Sequence, residues 1–432
     1  MRALAWATTA LAAAAASSAA PPAVPAVALS NAAAPGLTMP AIGLGTGAYS
    51  DNAAVGYGAY PECWSSTSGC GAFARQAVGL WLAAGGRRID AADSYQNQGD
   101  VGAALAASGV PRGDIFLLSK VGPSQPLGYN DTLAQFAKVK ADMGVDYVDA
   151  LLVHWPWDSR SQGNVTQNTT QSTDPLCNHT SPTYNEAGCR LSTWRAMLAI
   201  FASGGARSIG VSNYNVSHLQ EIADAGMPMP AINQVPFHLY RSSTQMDVLA
   251  YCARHGVTLL GYSPFGVPDY HSYPAPLPAA NQLQHPAVVA IAAKYGVTPA
   301  QVLIRWQWAL GVPVNPRSMS AQHMADNLAA YAALPSLNQT EVNTLSSQPQ
   351  VTCDVDPKWC VCAVAGGVWA TRSPPPPAHA PACCVGGAAQ LSAGPTLSTA
   401  WAPGLWSQPP CAPAVPLTRP DPPCVCRYEC AY

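Results

Sequence analysis

From Pro40 to about Leu334 the chain alternates short β-branched runs with longer segments of helical period, and nothing else in it constrains the fold as tightly. Candidate strands cover residues 41–45, 88–90, 115–120, 148–154, 208–212, 231–235, 258–263 and 312–315. Amphipathic stretches at 72–84, 131–143, 192–202, 216–225, 245–255 and 286–310 lie between them. Eight strands alternating with helices imply a parallel sheet, and eight is the number that closes a ring. A doubly wound sheet would want Gly-x-Gly-x-x-Gly after its first strand. Gly43-Leu44-Gly45-Thr46-Gly47 has glycines at another spacing, and no helical period opens there. The expected class is α/β, a (β/α)8 TIM barrel over residues 36–348.

Two insertions interrupt the alternation, residues 51–71 with Cys63 and Cys70, and residues 158–190 with Cys177 and Cys189. Each near pair of cysteines is able to close a small loop, which stabilises by about 2–4 kcal/mol in the usual case. Both insertions follow strands on the face where barrel active-site loops belong, so each is either a surface decoration or a wall of the pocket. After residue 348 the periodicity ends. The segment 349–432 carries a proline run at 374–377, adjacent Cys383 and Cys384, and the paired spacings Cys360-Val361-Cys362 and Cys424-Val425-Cys426. It is expected to be a disulfide-bonded or disordered tail. The spacings of zinc ligands are missing, and no metal is expected.

Residues 1–20 read as a secretory signal peptide: Met1-Arg2, an alanine-rich apolar run, then small residues before Pro21-Pro22. A plastid transit peptide is the alternative. The run is too short and too alanine-rich to span a bilayer and no other segment is long enough, so no membrane span is expected once the signal is removed. Fourteen cysteines, nine of them from Cys353 onward, and six glycosylation sequons at Asn130, Asn164, Asn168, Asn178, Asn215 and Asn338 agree with an oxidising lumen or the extracellular space. The formal charge of −2 and the 10% of charged residues give no electrostatic footprint for nucleic acid or an anionic membrane. The expected partner is a small molecule held in a local pocket; oligomeric state is not legible.

Reactive side chains in such a barrel belong at strand C-terminal ends. Those ends carry Asp90, Lys120, His154, Ser212-Asn213, Gln234, Tyr262 and Arg317-Ser318, with Tyr95 five residues beyond Asp90. Singly, each has an ordinary structural explanation: a helix cap, a half-buried ring, a solvated ammonium, a core histidine. Packing does not explain polar groups at the end of nearly every strand. Together they suit hydride reduction of a carbonyl, which needs an acid for the developing alkoxide. A phenol with its ordinary pKa of about 10 is a poor acid–base group near neutrality. A neighbouring ammonium favours the phenolate; Lys120 would supply it to Tyr95, Asp90 would hold Lys120 charged, and His154 would orient the substrate oxygen.

Several of these segments resemble the aldo-keto reductase family. Gly86-Arg87-Arg88-Ile89-Asp90-Ala91-Ala92-Asp93-Ser94-Tyr95 is similar to its aspartate–tyrosine signature, Leu118-Ser119-Lys120 to its lysine strand, and Leu152-Val153-His154-Trp155-Pro156 to its histidine strand. Ile209-Gly210-Val211-Ser212-Asn213-Tyr214 and Asn233-Gln234-Val235 resemble the segments that bond the nicotinamide carboxamide. Gly261-Tyr262-Ser263-Pro264 resembles the one whose tyrosine stacks on the ring. The resemblance runs over residues 37–335 in the family's order. It implies Tyr95 as proton donor, Lys120 and Asp90 as its tuning pair, and His154 as the orienting group. It also places Gly45, Thr46, Ser212, Asn213, Gln234, Tyr262, Ser263 and Phe265 against the cofactor.

On the adenosine side the resemblance implies Arg317 and Ser318 on a phosphate and Asp326 and Asn327 at the adenine. His323 stands where the family usually has an arginine. NADPH is therefore expected over NADH, with weaker discrimination than is usual and NADH as the alternative. Trp155 and Trp157 flank the histidine and are expected to line an apolar substrate pocket; core aromatics are the competing reading. The insertions and the tail depart from the family, so the substrate is left at an aldehyde or ketone, a sugar or polyol included. Two other roles stay open: a cofactor-binding regulatory subunit, and a secreted binding protein using the barrel as a scaffold.

Overall fold

An antiparallel hairpin, β1 (Ala26–Ala28) with β2 (Thr38–Pro40), precedes eight parallel strands. Residues 23–29, 36–47, 71–157, 171–239, 243–266 and 282–348 are described by the structure, a computed structural model, together with the backbone of 351–353 and 362–364. The leader at 1–20, the first insertion with Cys63 and Cys70, Asn164, Asn168 and the chain beyond 364 lie outside these residues.

The parallel strands follow in sequence order. The first four are β3 (Leu44–Gly45), β4 (Arg88–Asp90), β5 (Phe116–Val121) and β6 (Ala150–Val153). The second four are β7 (Ile209–Ser212), β8 (Ile232–Pro236), β9 (Thr258–Tyr262) and β10 (Val314–Asn315). Each hydrogen-bonds the next. The sheet closes where Ile42 bridges Val314, with Gly43 N donating to the Val314 carbonyl at 3.0 Å and Val314 N to that of Ala41 at 2.8 Å. Every expected strand overlaps an observed one, and the barrel is the fold.

Ten helices are described outside the ring. They are α1 (Gly71–Ala83), α2 (Gln98–Ala107), α3 (Tyr129–Met143), α4 (Glu186–Ala202) and α5 (Val216–Asp224). The rest are α6 (Ser243–Arg254), α7 (Pro286–Tyr295), α8 (Pro299–Ala309), α9 (Ala321–Ala333) and α10 (Gln339–Ser346). The stretch 286–310, expected as one helical segment, is two helices bent by 99°. Gly296 ends α7 in the left-handed region at φ 65°, and Thr298 and Gln301 form a capping box that starts α8 with Pro299 in its first turn. Stop and start signals two residues apart defeat a continuous helix.

Burial falls into two layers. Outward side chains such as Ile89, Leu117, Leu151 and Val211 pack under the helices. Inside the ring, Phe116, Leu118, Ala150, Leu152, Ile232 and Leu260 form a second cluster that Leu29, Leu37 and Met39 of the hairpin segment cover. Burying a large side chain in this way stabilises by about 1.5–3 kcal/mol. The hairpin thus plugs the bottom of the barrel and leaves its top for polar groups. Part of it lies ahead of residue 36.

The described part of the second insertion is tied to the barrel wall. Ser172 Oγ donates to Asp131 Oδ2 at 2.6 Å in the first turn of α3. Ser192 Oγ donates to Asp174, and a disulfide joins Cys177 to Cys189 on α4. Of the described sequons, Asn215 and Asn338 cap α5 and α10 through their side-chain oxygens. Beyond α10 the backbone of Val351–Cys353 pairs antiparallel with Cys362–Val364, a ladder within a segment expected to lack strands. No single helix among the described residues is long and apolar enough to cross a membrane.

Candidate active site

The four expected catalytic side chains meet at the top of the ring. Asp90 ends β4, Lys120 is the penultimate residue of β5, and His154 follows β6 directly. Tyr95 closes a 3-10 turn, Asp93–Tyr95, that carries it back over the strands. The Lys120 ammonium is completely buried and makes an ion pair with Asp90. It also donates to the Ala91 carbonyl at 3.1 Å and to the Tyr95 hydroxyl at 3.2 Å. All three ammonium protons therefore have acceptors. The His154 ring meets the Tyr95 ring edge-on at 5.4 Å, and Ser94 Oγ lies 3.0 Å from His154 Nδ1.

Burial pushes the Lys120 ammonium below its ordinary value, and the contact with Asp90 opposes that. His154 is pushed well below the ordinary imidazole value, first by burial and then by the Lys120 charge, with a Gly122 backbone hydrogen bond working the other way. Near neutrality its imidazole is therefore uncharged, a hydrogen-bonding group rather than a second cation.

The Asp90 carboxylate is shared three ways. Oδ1 takes Lys120, while Oδ2 accepts from Gln234 Nε2 at 2.5 Å and from Asn315 Nδ2 at 2.7 Å. Gln234 belongs to the set expected on the nicotinamide, and the structure ties its amide to the tetrad as well. Neighbouring members of that set are linked: Ser212 Oγ donates to the Gln234 carbonyl at 2.8 Å, and Asn213 Nδ2 to that of His154 at 3.0 Å. Tyr262 donates to Asn213 Oδ1 at 3.1 Å. Thr46 Oγ1 donates to the Asp90 carbonyl at 2.9 Å, and Gly45 N to that of Pro316 at 3.0 Å. Three non-glycine residues have positive φ among the described residues, Gln96, Asn213 and Ser263, and all border this face. Backbone held in a sparsely populated region marks a place where orientation outweighs local stability.

The residues expected on the adenosine side gather at the start of α9. Arg317 Nη1 donates to the Gly47 carbonyl at 2.5 Å, and Ser318 Oγ accepts from Ser320 N at 3.0 Å. Ser320 caps α9, His323 is exposed in its first turn, Asp326 is half-buried and Asn327 is buried. A helix N-terminus beside a guanidinium and hydroxyls suits a phosphate. Gly47 adds a cradle: a Cβ there would stand 2.9 Å from Tyr95 Cζ, so glycine lets the backbone lie on the phenol face. The residues present fit a nicotinamide dinucleotide.

On the substrate side the two tryptophans separate. Trp155 stacks beside His154 at 6.4 Å, whereas Trp157 lies one ring farther out, 5.5 Å from Trp155 and 6.3 Å from His218. Trp157 lines a small cleft with Pro156, His179, Tyr184, Glu186 and the Cys177–Cys189 bridge. Phe265 is half-buried against the outer core. Sequence reasoning passed over Gly47, Arg88, Ser94 and Asn315. One of them carried a signal: Arg88 occupies a strand position where an interior layer is normally apolar.

Comparison with known proteins agrees with this geometry. The profile of the Aldo/keto reductase family matches residues 42–348. Aldo-keto reductase family 1 member A1 of Pongo abelii is 30% identical, covering 74% of this chain and 91% of that protein. Aldehyde reductase YPR1 of Saccharomyces cerevisiae is 31% identical, covering 64% and 84%. The crystal structure of a Bombyx mori aldo-keto reductase in complex with NADP superposes with a TM-score of 0.59 at 26% identity, covering 75% of this chain and 92% of that one.

Proposed function

The chain belongs to the aldo/keto reductase family, whose members are oxidoreductases, and we propose that it reduces an aldehyde or ketone to the alcohol with NADPH. The observation that carries this reading is the 3.2 Å contact between the buried Lys120 ammonium and the Tyr95 hydroxyl, closed on its far side by Asp90 and flanked by His154.

Ser212, Asn213, Gln234 and Tyr262 would hold the reduced nicotinamide, which when bound would supply the hydride for the carbonyl carbon. Tyr95 gives its phenolic proton to the carbonyl oxygen as negative charge develops there. Lys120 stabilises the phenolate that remains, and Asp90 keeps the ammonium charged despite its burial. Uncharged His154 hydrogen-bonds the substrate oxygen and fixes its approach. The barrel wall excludes bulk water, which strengthens each of these interactions. Arg317 and Ser318 at the start of α9 favour the cofactor with the additional phosphate; NADH is the alternative. Trp155 forms the apolar wall nearest the carbonyl, and the bridged second insertion, through Trp157, sets how large a substrate passes.

The test is NADPH consumption by the full-length protein against aldehydes, ketones and aldoses, with Tyr95→Phe alongside. Turnover lost by at least about a hundredfold in Tyr95→Phe, with cofactor binding retained, is the expected result. Tight NADPH binding by the unsubstituted protein without turnover on any carbonyl would favour a regulatory or scaffold role instead.

We also propose that the chain enters the secretory pathway, its residues 1–20 acting as the signal. The Cys177–Cys189 bridge supports this, because such pairs persist in oxidising compartments. A mobility shift on enzymatic deglycosylation of the expressed protein is expected; an unshifted, reduced protein in a cytosolic fraction would overturn it.

A further inference from the structure

The barrel interior is apolar except directly below the tetrad. Leu118, Leu152, Ile232 and Leu260 fill it, but Arg88 and Asn315 stand among them, both buried. Arg88 lies two residues before Asp90 on β4, so the two side chains leave the same face of the strand. Its Nη2 donates to the Val314 carbonyl at 2.6 Å and to that of Ala41 at 3.4 Å, the two sides of the seam where the barrel closes. Its Nε and Nη1, and Asn315 Oδ1, have no partner among the described residues. Gly43 makes room for both: a Cβ there would stand 2.5 Å from Arg88 Nε and 2.9 Å from Asn315 Oδ1.

Packing gives no reason for these residues. Buried donors and acceptors left unpaired are costly, and a well-packed apolar set of similar volume is usually at least as stable. What Asn315 reaches is Asp90, while Arg88 bonds the seam carbonyls and acts on Asp90 through its charge. Asn315 Nδ2 donates to Oδ2 at 2.7 Å, on the opposite oxygen from Lys120. The Arg88 cation adds a favourable charge to the carboxylate from below. Lys120, Tyr95 and His154 surround the pair from above, and Arg305 of α8 and Tyr331 of α9 lie behind Arg88.

We propose that Asn315, backed by Arg88, is a positioning residue for the reaction: it fixes the Asp90 carboxylate so that Oδ1 is kept for Lys120, and thereby holds the ammonium on the Tyr95 hydroxyl. Gln234 also bonds Oδ2, but its amide lies in the face assigned to the nicotinamide. Asn315 holds Oδ2 whether or not that amide is engaged. This role rests on the reductase reading above, because the geometry that it protects is the proton donor's.

The test replaces Asn315 with Leu, an apolar side chain of the same branching, in the full-length protein, with Arg88→Met as a companion. Three quantities are read: the single-turnover rate of NADPH oxidation with the best carbonyl of the panel, NADPH binding by fluorescence, and the thermal midpoint. Single turnover isolates the chemical step from product release, which often limits kcat. Asn315→Leu is expected to slow that step by about tenfold or more, as loss of a hydrogen bond to a charged group implies. NADPH binding should stay within about twofold, because Asn315 acts only through Asp90 on the proton donor and not on ground-state binding. The thermal midpoint should change little, because loss of the bond to Asp90 is offset by removal of the unpartnered Oδ1. A variant that reacts at the unsubstituted rate overturns the positioning role. So does one whose rate, cofactor binding and midpoint all fall together, which is the pattern of a structural residue. Should Asn315→Leu not fold, Asn315→Ser, too short to reach Asp90, is read by the same criteria. An unsubstituted protein that turns over no carbonyl overturns the reductase reading itself, an outcome separate from an active protein indifferent to Asn315.

Discussion

Lys120 Nζ stands 3.2 Å from the Tyr95 hydroxyl oxygen while its two remaining protons are taken by Asp90 and the Ala91 carbonyl. The ammonium is therefore held by acceptors on two sides and faces the phenol on the third, with no exposure to water. Such a charge is stable only as long as its counter-ion remains.

That dependence gives the first prediction. Lys120→Met removes one member of a buried pair and is expected to destabilise the protein by about 3–5 kcal/mol, besides abolishing turnover. Asp90→Asn in the same chain removes the uncompensated charge while keeping a group that Gln234 and Asn315 can bond. The double variant should recover most of the stability and none of the activity. Denaturant midpoints and NADPH consumption on the two variants separate the pair's structural role from its chemical one. A double variant no more stable than Lys120→Met would show that the ion pair is not what the single substitution broke.

Gly47 gives the second. Gly47→Ala would put a methyl group 2.9 Å from Tyr95 Cζ, closer than atoms in contact tolerate, so the phenol ring must move. A shift of a few tenths of an ångström lengthens the contacts with Lys120 and His154 without unfolding the barrel. Turnover should fall by about tenfold or more with the thermal midpoint nearly unchanged, since misplacing a reacting group is costly in rate. Wild-type turnover in Gly47→Ala would mean that the loop yields instead of the ring.

The barrel and its tetrad were legible because they rest on periodicities and on strand ends. Strands such as β5 and β6 are short apolar runs, and Lys120 and His154 break those runs where a barrel places its chemistry. Asn315 was not legible in the same way. A polar residue at the end of the last strand looks like a loop boundary until the ring closes and brings it to Asp90, 225 residues away in sequence. Ser94, 60 residues from its partner His154, was hidden by the same kind of separation. The break between α7 and α8 was missed for the opposite reason. The apolar period runs through it, and only the local chemistry of Gly296, Thr298 and Pro299 stops the helix.

The last prediction concerns pH and begins at His218, the third residue of α5. Its Nδ1 accepts from Asn215 N in a capping box, and its ring lies edge-on to Tyr214 and Trp157. Burial, and then the charge of Arg190, push the imidazole down to about 3. In the unfolded chain the same group takes up a proton near its ordinary value of about 6.5. Below that pH the unfolded state binds one proton more than the folded state, so stability falls as pH falls. The contribution of His218 is fully present above about pH 6.5 and is lost at about 1.4 kcal/mol per pH unit down to its folded value. His154 acts in the same direction. His218→Gln keeps a side chain suited to the third position of a capping box and removes the titration. Between pH 6 and 4, unfolding free energies of the two proteins should diverge by about one proton's worth of slope, with His218→Gln the less sensitive. Parallel curves would mean that His218 is protonated in the folded protein, and the packing of Trp157 and Tyr214 around an uncharged ring would then be wrong.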